Sequence, residues 1–529
     1  MLATLAAAAI VVAVPSTAQA SFGITALSVT PSTLQAGGNP NVTFSMSFAN
    51  NTPATDEDVR DLTLHLPPGL IADPNATARC PTNVFEAAAC DFTAHRIGTA
   101  TIYYLDSGAN PQSRAAQAYN VQTVGNEPAR LGLYASGMTP VPAPVSLRSA
   151  DWGIDSQMTN LPRTDSGSEI TITGMDLTLF GQAGSPAAAF MTNPTSCAAA
   201  STALDVTSYG GATSQATASF TPTGCESLAL APKLSVTAGA NGERVKDSHP
   251  DLKVVVTQGQ GEAAVKSRVV KLPDVLRPNV FGIVQSLCGE EQVSQRACTQ
   301  VGSATATTPF LSGSLSGPVY VVRQGGGLLP KLSLLLDGAV STRVDAQLAF
   351  EGKRTVITFN DLPDLLFTRF DLTINGGDGG MLSVFSDLCT AQAATVDAVF
   401  GGQNGKTVTD TPALALAGCE PSVSISTRPA KMTKKGVVPV TLTCHSQGAS
   451  CQGALKLASA AKVRLSARAR SLTLGRKPFK IAAGGNSAVK VSLSRKSRKT
   501  MLRLRRLKVK ATATVGGSKT IRTITLKAR

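Results

Sequence analysis

Gly38-Asn-Pro-Asn-Val-Thr-Phe-Ser-Met-Ser-Phe48 leaves a turn and then alternates apolar with polar residues, and Ser248-His-Pro-Asp-Leu-Lys-Val-Val-Val256 takes up the same course 210 residues later. Alternation at period two marks a half-buried strand, and a β-branched run bounded by turn residues marks a more buried one. Outward from this pair the correspondence continues in order. Leu66-Pro-Pro-Gly-Leu70 answers Leu272-Pro-Asp-Val-Leu276, Ile97-Gly-Thr-Ala-Thr101 answers Val301-Gly-Ser-Ala-Thr305, and Met175-Asp-Leu-Thr-Leu179 answers Phe370-Asp-Leu-Thr-Ile374. Gly224-Cys-Glu226 and Gly418-Cys-Glu420 close the two series. Ordered matches of this kind are the mark of a tandem duplication, here residues 21–228 and 229–420. Short strands punctuated by Gly, Pro, Asn and Asp make the fold class all-β, with tandem Ig-like β-sandwich domains. Copies of about 200 residues leave room for two subdomains each. Helix signals are scarce: Asn83 with Glu86 would cap one short turn, and Glu290 to Arg296 another.

The ten cysteines fall into the same frame. Cys80/Cys90, Cys197/Cys225, Cys288/Cys298, Cys389/Cys419 and Cys444/Cys451 are separated by 10, 28, 10, 30 and 7 residues. An even count in an exported chain reads as a disulfide set. The cysteine number alone leaves the connectivity open, but the recurrence of the spacings favours neighbour pairing, each bridge worth about 2 to 4 kcal/mol. Export itself is read from residues 1–20: Leu2 to Val14 is apolar, Pro15 breaks the run, and Ala18-Gln-Ala20 fits signal-peptidase cleavage before Ser21. The run is too short to span a bilayer, and no later stretch stays apolar for about 20 residues, so no transmembrane span is expected after cleavage. The usual basic start is replaced by a chain whose first charge is Asp56, which points to a start inside a longer signal. The expected location is extracellular or the cell surface.

Of 529 residues, 43% are hydrophobic and 16% charged, enough for packed cores and against wholesale disorder. The charge is split along the chain. Residues 421–529 hold 26 Lys plus Arg and no Asp or Glu, whereas the first 420 carry 23 basic and 34 acidic side chains. In the basic region Val437–Cys444, Ala454–Leu457, Phe479–Ala482, Ala488–Leu493, Leu507–Thr514 and Thr520–Leu526 read as strands of a further sandwich, its cations standing outward.

Leu66-Pro-Pro-Gly-Leu70, the paired cysteines, Ile97-Gly-Thr-Ala-Thr-Ile102, Val440-Thr-Leu-Thr-Cys444, Cys451-Gln-Gly453 and Leu474-Gly-Arg-Lys-Pro-Phe-Lys-Ile-Ala-Ala-Gly-Gly485 together resemble secreted tandem-repeat surface proteins of actinobacterial type with Ig-like domains. The resemblance covers most of the chain beyond residue 20 and is weaker in the second copy, where Pro273-Asp-Val275 stands for the Pro-Pro-Gly turn. It implies an extracytoplasmic, non-enzymatic β-sandwich protein and brings no catalytic residues.

A search for reactive chemistry finds none. Gly401-Gly-Gln-Asn-Gly-Lys-Thr407 ends like a phosphate-binding loop, but Phe400 occupies the first glycine position and Val408, Thr409 and Pro412 follow where a helix is needed, so a hairpin is expected. His65, His95, His249 and His445 lack metal-ligand spacing. No Gly-x-Ser-x-Gly occurs: Gly313-Ser-Leu-Ser-Gly317 has Leu315 at its centre. Asp176 and Asp371 start the same strand in separate copies, and Asp361, Asp364, Asp371 and the Gly376–Gly380 stretch follow no calcium-loop pattern. No catalytic residue, cofactor or metal is therefore expected.

The strongest functional feature is the basic region. Arg495 to Lys510 packs nine cations into sixteen residues, and a field of this kind attracts polyanions. Stacking aromatics, which usually accompany nucleic-acid binding, are reduced to Phe479, which disfavours nucleic acid. The expectation is a secreted or cell-envelope structural or adhesive protein whose Arg495, Lys496, Arg498, Lys499, Arg503, Arg505 and Arg506 meet anionic cell-envelope polymers or other surface polyanions. Outward cations that merely keep a sandwich soluble and its edges unpaired are the simpler alternative. A glycan- or protein-binding adhesin would use repeat loops such as Ser107 to Ala115 and the aromatics Trp152, Tyr103, Tyr104 and Tyr134. A secreted hydrolase with a dispersed site is the least supported reading.

Overall fold

The computed structural model describes residues 22–528 except 50–56, 312, 327–328, 390–393, 420, 447–449 and 465–468. The expected export signal at 1–20, its cleavage point at Ser21, and Asp56 and Glu420 lie outside the described residues. The first repeat uses eleven main strands: β1 (Gly23–Pro31), β2 (Val42–Ala49), β3 (Val59–His65), β4 (Arg96–Leu105), β5 (Pro111–Asn120), β6 (Ala129–Ala135), β7 (Val141–Leu147), β8 (Ile154–Met158), β9 (Thr171–Leu179), β10 (Ala200–Ser208) and β11 (Thr213–Phe220). They are hydrogen-bonded in the order β1-β2-β9-β4-β5-β6-β7-β8-β3-β10-β11. The second repeat uses β12 (Lys233–Ala238), β13 (Leu252–Thr257), β14 (Val265–Lys271), β15 (Gly302–Thr307), β16 (Leu315–Val322), β17 (Lys331–Leu336), β18 (Thr342–Glu351), β19 (Arg354–Phe359), β20 (Arg369–Ile374), β21 (Asp397–Gly402) and β22 (Thr407–Asp410). Their order is β12-β13-β20-β15-β16-β17-β18-β19-β14-β21-β22, with Leu287–Cys288 and Ala415–Leu416 as two-residue additions. Each label is its counterpart's plus eleven, so the copies match strand for strand.

Alternation explains why these segments pair. On β2 Val42, Phe44, Met46 and Phe48 are buried while the residues between them are wetter; a one-residue slip would turn all four to solvent. Each long ribbon folds over until its end strands meet. Ile24 N donates to Ser214 Oγ at 3.1 Å in the first copy and Leu234 N to Asp410 Oδ2 at 2.8 Å in the second. One main core fills each repeat, so neither copy divides into the two subdomains its length allowed: a continuous hydrogen-bonded sheet leaves no boundary.

Five disulfides join Cys80–Cys90, Cys197–Cys225, Cys288–Cys298, Cys389–Cys419 and Cys444–Cys451. The first and third each brace a short helix, Thr82–Glu86 and Glu290–Ser294, over a small satellite core. Asn83 does not cap the first of these. Pro81 takes the N-cap position without a side-chain bond. The β5 strand already begins at Pro111, so the loop expected over Ser107 to Ala115 is half strand.

The third region has two main sheets around its own core, with Ala430–Lys431 as a two-residue addition at the edge of the larger and Val463–Arg464 paired with Ala469–Arg470 as a separate short ribbon. β23 (Ser422–Ile425), β24 (Val437–His445) and β27 (Asn486–Ser492) form one in the order β23-β24-β27, and β25 (Cys451–Ser459), β26 (Thr473–Ile481), β28 (Arg506–Val515) and β29 (Ser518–Lys527) form the other in the order β29-β28-β25-β26. Between β27 and β28 runs a helix, Arg495–Leu504, a segment outside the strands read from the sequence.

The two repeats dock, and the dock is built from a buried carboxylate. Asp364, in the loop before β20, accepts from Thr195 N at 2.8 Å, Ser196 N at 3.0 Å and the Thr195 hydroxyl, which itself accepts from Ala264 N at 3.1 Å. Gly69, at φ +87°, makes room: a Cβ there would stand 2.7 Å from Asp364 Oδ2. The second copy carries Val275 at that place. Burial pushes the Asp364 carboxyl above the usual range, against three hydrogen bonds that pull it down. A raised folded-state value means that this group favours the docked state at acid pH and loses that contribution as pH rises through the raised value. Asp364→Ala, which strands two N–H groups and a hydroxyl, is expected to weaken docking by about 1 to 3 kcal/mol. Asp364→Asn should keep the dock at neutral pH and remove its pH dependence. Faster proteolysis between 221 and 232 in the Ala variant alone, with both cores intact by hydrogen exchange, is the check.

Candidate functional site: a cationic C-terminal surface

The helix Arg495–Leu504 exists because Ser494 caps it, its hydroxyl accepting from Ser497 N at 3.1 Å, and because Ser497, Thr500 and Met501 share a buried face. Met501 enters the core between the sheets. That anchoring turns Arg495, Lys496, Arg498, Lys499 and Arg503 outward. Arg505 follows at φ +55° where the helix ends, and Arg506 starts β28. All seven are exposed. Arg498 is partly committed, its guanidinium donating to Lys434 O at 2.6 Å; among the described residues no ion pair or hydrogen bond engages the side chains of the other six. With no Asp or Glu between 421 and 529, an acidic side-chain partner inside this region does not exist. Four of the cations lie in the first turns, where the helix dipole already presents positive charge. Leu502 and Leu504 are exposed beside them.

The neighbouring sheet extends this surface. Lys508 and Lys510 on β28 and Lys456 on β25 all stand exposed, and the register sets Lys456 directly opposite Arg476 of β26. Like charges facing across a strand pair are destabilising. Lys456 and Arg476 escaped the sequence reading because their register depends on the connection from 460 to 472, which no periodicity fixes.

Other candidates resolve into structure. His65 lies between two carboxylates, Nδ1 2.8 Å from Asp155 and Nε2 3.1 Å from Asp205, so neither ring nitrogen is left to take a proton from a nucleophile. Arg148 holds Asp155 at 2.5 Å and donates to Leu66 O at 2.7 Å. The second copy repeats the device, Arg354 binding Asp397 at 2.7 Å and donating to Leu272 O at 2.8 Å. A charge clamp made twice, once without histidine, is architecture. Gly401–Thr407 spans the turn between β21 and β22, with Gly401 paired to Thr407 and Lys406 Nζ reaching Leu228 O at 2.8 Å. Asp371 pairs with Arg369 and Lys253, Asp176 accepts from Tyr103, and Asp364 is the dock, so these acids do not converge. Among the described residues no group of three or more His, Cys, Asp or Glu is placed to hold a metal.

The four aromatics are not assembled into a platform. Tyr104 is buried with its hydroxyl on Asp165 at 2.8 Å, and Tyr103 points to the opposite face of the same strand. Tyr134 packs on the Cys80–Cys90 satellite core. Trp152 lies on an apolar cavity of 110 Å³ between the repeats, faced from the second copy by Phe310, Leu311 and Leu365.

No protein-family model and no curated protein sequence matches the chain. Among solved structures it is similar to a tetra-tandem repeat from the extending region of a large adhesion protein, at 11% identity over 96% of this chain and 98% of that one, with a TM-score of 0.19. It is also similar to BcpA, the major pilin subunit of Bacillus cereus, at 9% identity, 85% and 96% coverage and a TM-score of 0.19. A third is the C-terminal domain of the Streptococcus agalactiae AgI/II polypeptide BspA, at 9% identity, 74% and 99% coverage and a TM-score of 0.18. Scores at this level carry no functional inference. Among the described residues no helix is long and apolar enough to cross a membrane.

Proposed function

We propose that this chain is a non-enzymatic secreted or cell-envelope protein of structural or adhesive role, held near the surface by attraction between its basic C-terminal region and anionic envelope polymers. The observation that carries the reading is a surface of unpaired cations, Lys456 set against Arg476 among them, in a region without a single acid. A polyanion laid along it would supply the missing counter-charge. The five disulfides fit an oxidising compartment, and the resemblance to secreted actinobacterial repeat proteins and the apolar residues 1–20 fit export. The docked repeats then form an acidic body carried by a basic foot.

Co-sedimentation of the full chain with purified envelopes across a salt series tests this. Binding should fall steeply with salt, log affinity dropping linearly with log salt by roughly one unit per charge neutralised. Binding that persists in high salt would assign retention to the repeats or to an apolar contact, and no binding at low salt would make the cations a solubility device.

A further inference from the structure

The copies differ at one interior position in a way that packing does not explain. Leu161 N donates to Arg60 O in the first repeat and Leu362 N donates to Lys266 O in the second, so β3 and β14 are aligned, and Leu62 corresponds to Arg268. Pairing agrees: Leu62 faces Met158 and Val206, and Arg268 faces Phe359 and Phe400. Leu62 is 1% exposed and Arg268 only 6%. A guanidinium therefore stands where the first copy has a core leucine, and among the described residues no carboxylate pairs with it. Arg268 Nε is buried without a hydrogen-bond partner, and among the described residues no ion pair or hydrogen bond to the rest of its guanidinium is found. The rings of Phe359 and Phe370 lie 4.4 and 4.6 Å from its central carbon. Such contacts return part, not all, of the cost of desolvating a cation. Burial accordingly lowers its pKa to about 10.

Beside Arg268 is space. Both repeats have a cavity at the same place, lined by Leu161 and Pro162 in the first and by Leu362 and Pro363 in the second. It measures 20 Å³ in the first copy and 50 Å³ in the second. The register explains part of the gain, since Ile102 of the first copy corresponds to Ala306 of the second. The second copy thus has both a charge and the room to meet it, where the first has no charge and less than half the room.

At 50 Å³, against the roughly 150 Å³ of a cavity that takes benzene, the space admits only the smallest organic anions. We infer that the Arg268 cavity of the second repeat is a binding site for a monocarboxylate of one or two carbons, formate or acetate. The guanidinium matches a carboxylate in plane and in charge. The walls, Ala306, Leu336, Val344 and Phe367 among them, offer a methyl group contact and give a second negative charge no donor. That separates this ligand class from phosphate or sulfate. The site lies in the second repeat and is independent of the basic C-terminal surface.

The probe is sodium acetate, with formate, hexanoate, chloride and phosphate beside it, titrated into the full disulfide-intact chain by calorimetry and by carbonyl NMR of labelled acetate. Acetate is expected to bind saturably at about millimolar affinity, and hexanoate and phosphate not at all. Arg268→Leu, which installs the first copy's residue, should weaken acetate about 10- to 100-fold. Ala306→Ile, which keeps the charge and fills the space, should also abolish binding, and it decides the matter if Arg268→Leu does not fold. Absence of saturable acetate binding, equal binding by Ala306→Ile or by folded Arg268→Leu, or chloride binding as tightly as acetate would each overturn the assignment.

Discussion

Changing Arg495, Lys496, Arg498, Lys499, Arg503, Arg505 and Arg506 together to glutamine is expected to weaken association of the full chain with anionic wall polymer by about 100- to 1000-fold at low salt. A Lys or Arg near an anionic surface contributes about 1 kcal/mol, and a polymer engaging half of the seven at once would lose that much for each. Glutamine has nearly the helix propensity of Arg and Lys, and the helix keeps its Ser494 cap and its Met501 anchor. Removing cations from the first turns also relieves their conflict with the dipole. Arg498 is the one member with structural work, bonding Lys434 O, so a small fall in melting temperature is expected and a collapse is not. The salt slope should shrink together with the affinity. Unchanged binding with a folded variant would move the contact to the sheet face of Lys456, Arg476, Lys508 and Lys510; unchanged binding after those are also neutralised would end the polyanion reading.

The parts of this molecule that the sequence disclosed are those that alternation and punctuation encode. Val42 to Phe48, Leu252 to Val256 and Leu507 to Thr514 lie on strands because period two holds along them without interruption. What escaped was either masked by charge or carried by distance. Ser494, Ser497, Thr500 and Met501 have the cap and spacing of a short helix, but seven cations among twelve residues hide a buried face with only one apolar member. Arg268 stands in phase with Val270 and Leu272, so alternation does point it inward; the general habit of arginine to face water overrides that signal. Asp364 meets Thr195 across 169 residues, and no local pattern encodes such a contact. The sharper lesson lies in comparing the copies. Once the two sheets are known to match strand for strand, Gly69 against Val275 marks the dock, and Leu62 with Ile102 against Arg268 with Ala306 marks a cavity that changed character.

Cys444→Ala with Cys451→Ala is expected to lower the melting temperature of the C-terminal region by about 10 to 20 °C, and by more as salt is withdrawn. The bridge ties β24 of the three-stranded sheet to β25 of the other, and both cysteines are fully buried in the core between them. Chain-entropy reasoning for so short a loop gives about 2.5 kcal/mol, and a kilocalorie moves the midpoint of a domain this size by about 4 to 8 °C. The salt dependence comes from the same cations as the proposed function. Twenty-six positive charges without an acid repel one another in the compact state, and that repulsion is screened over about 8 to 10 Å at moderate ionic strength. With the bridge intact the cross-link offsets the repulsion, whereas without it the fold should need salt, sulfate or a bound polyanion. Calorimetry of the double variant from low to moderate salt, with and without an anionic polymer, measures this directly. A drop that is the same at every salt concentration would mean that the cations are well enough spaced to coexist, and the counter-charge argument for a polyanion partner would lose its energetic basis.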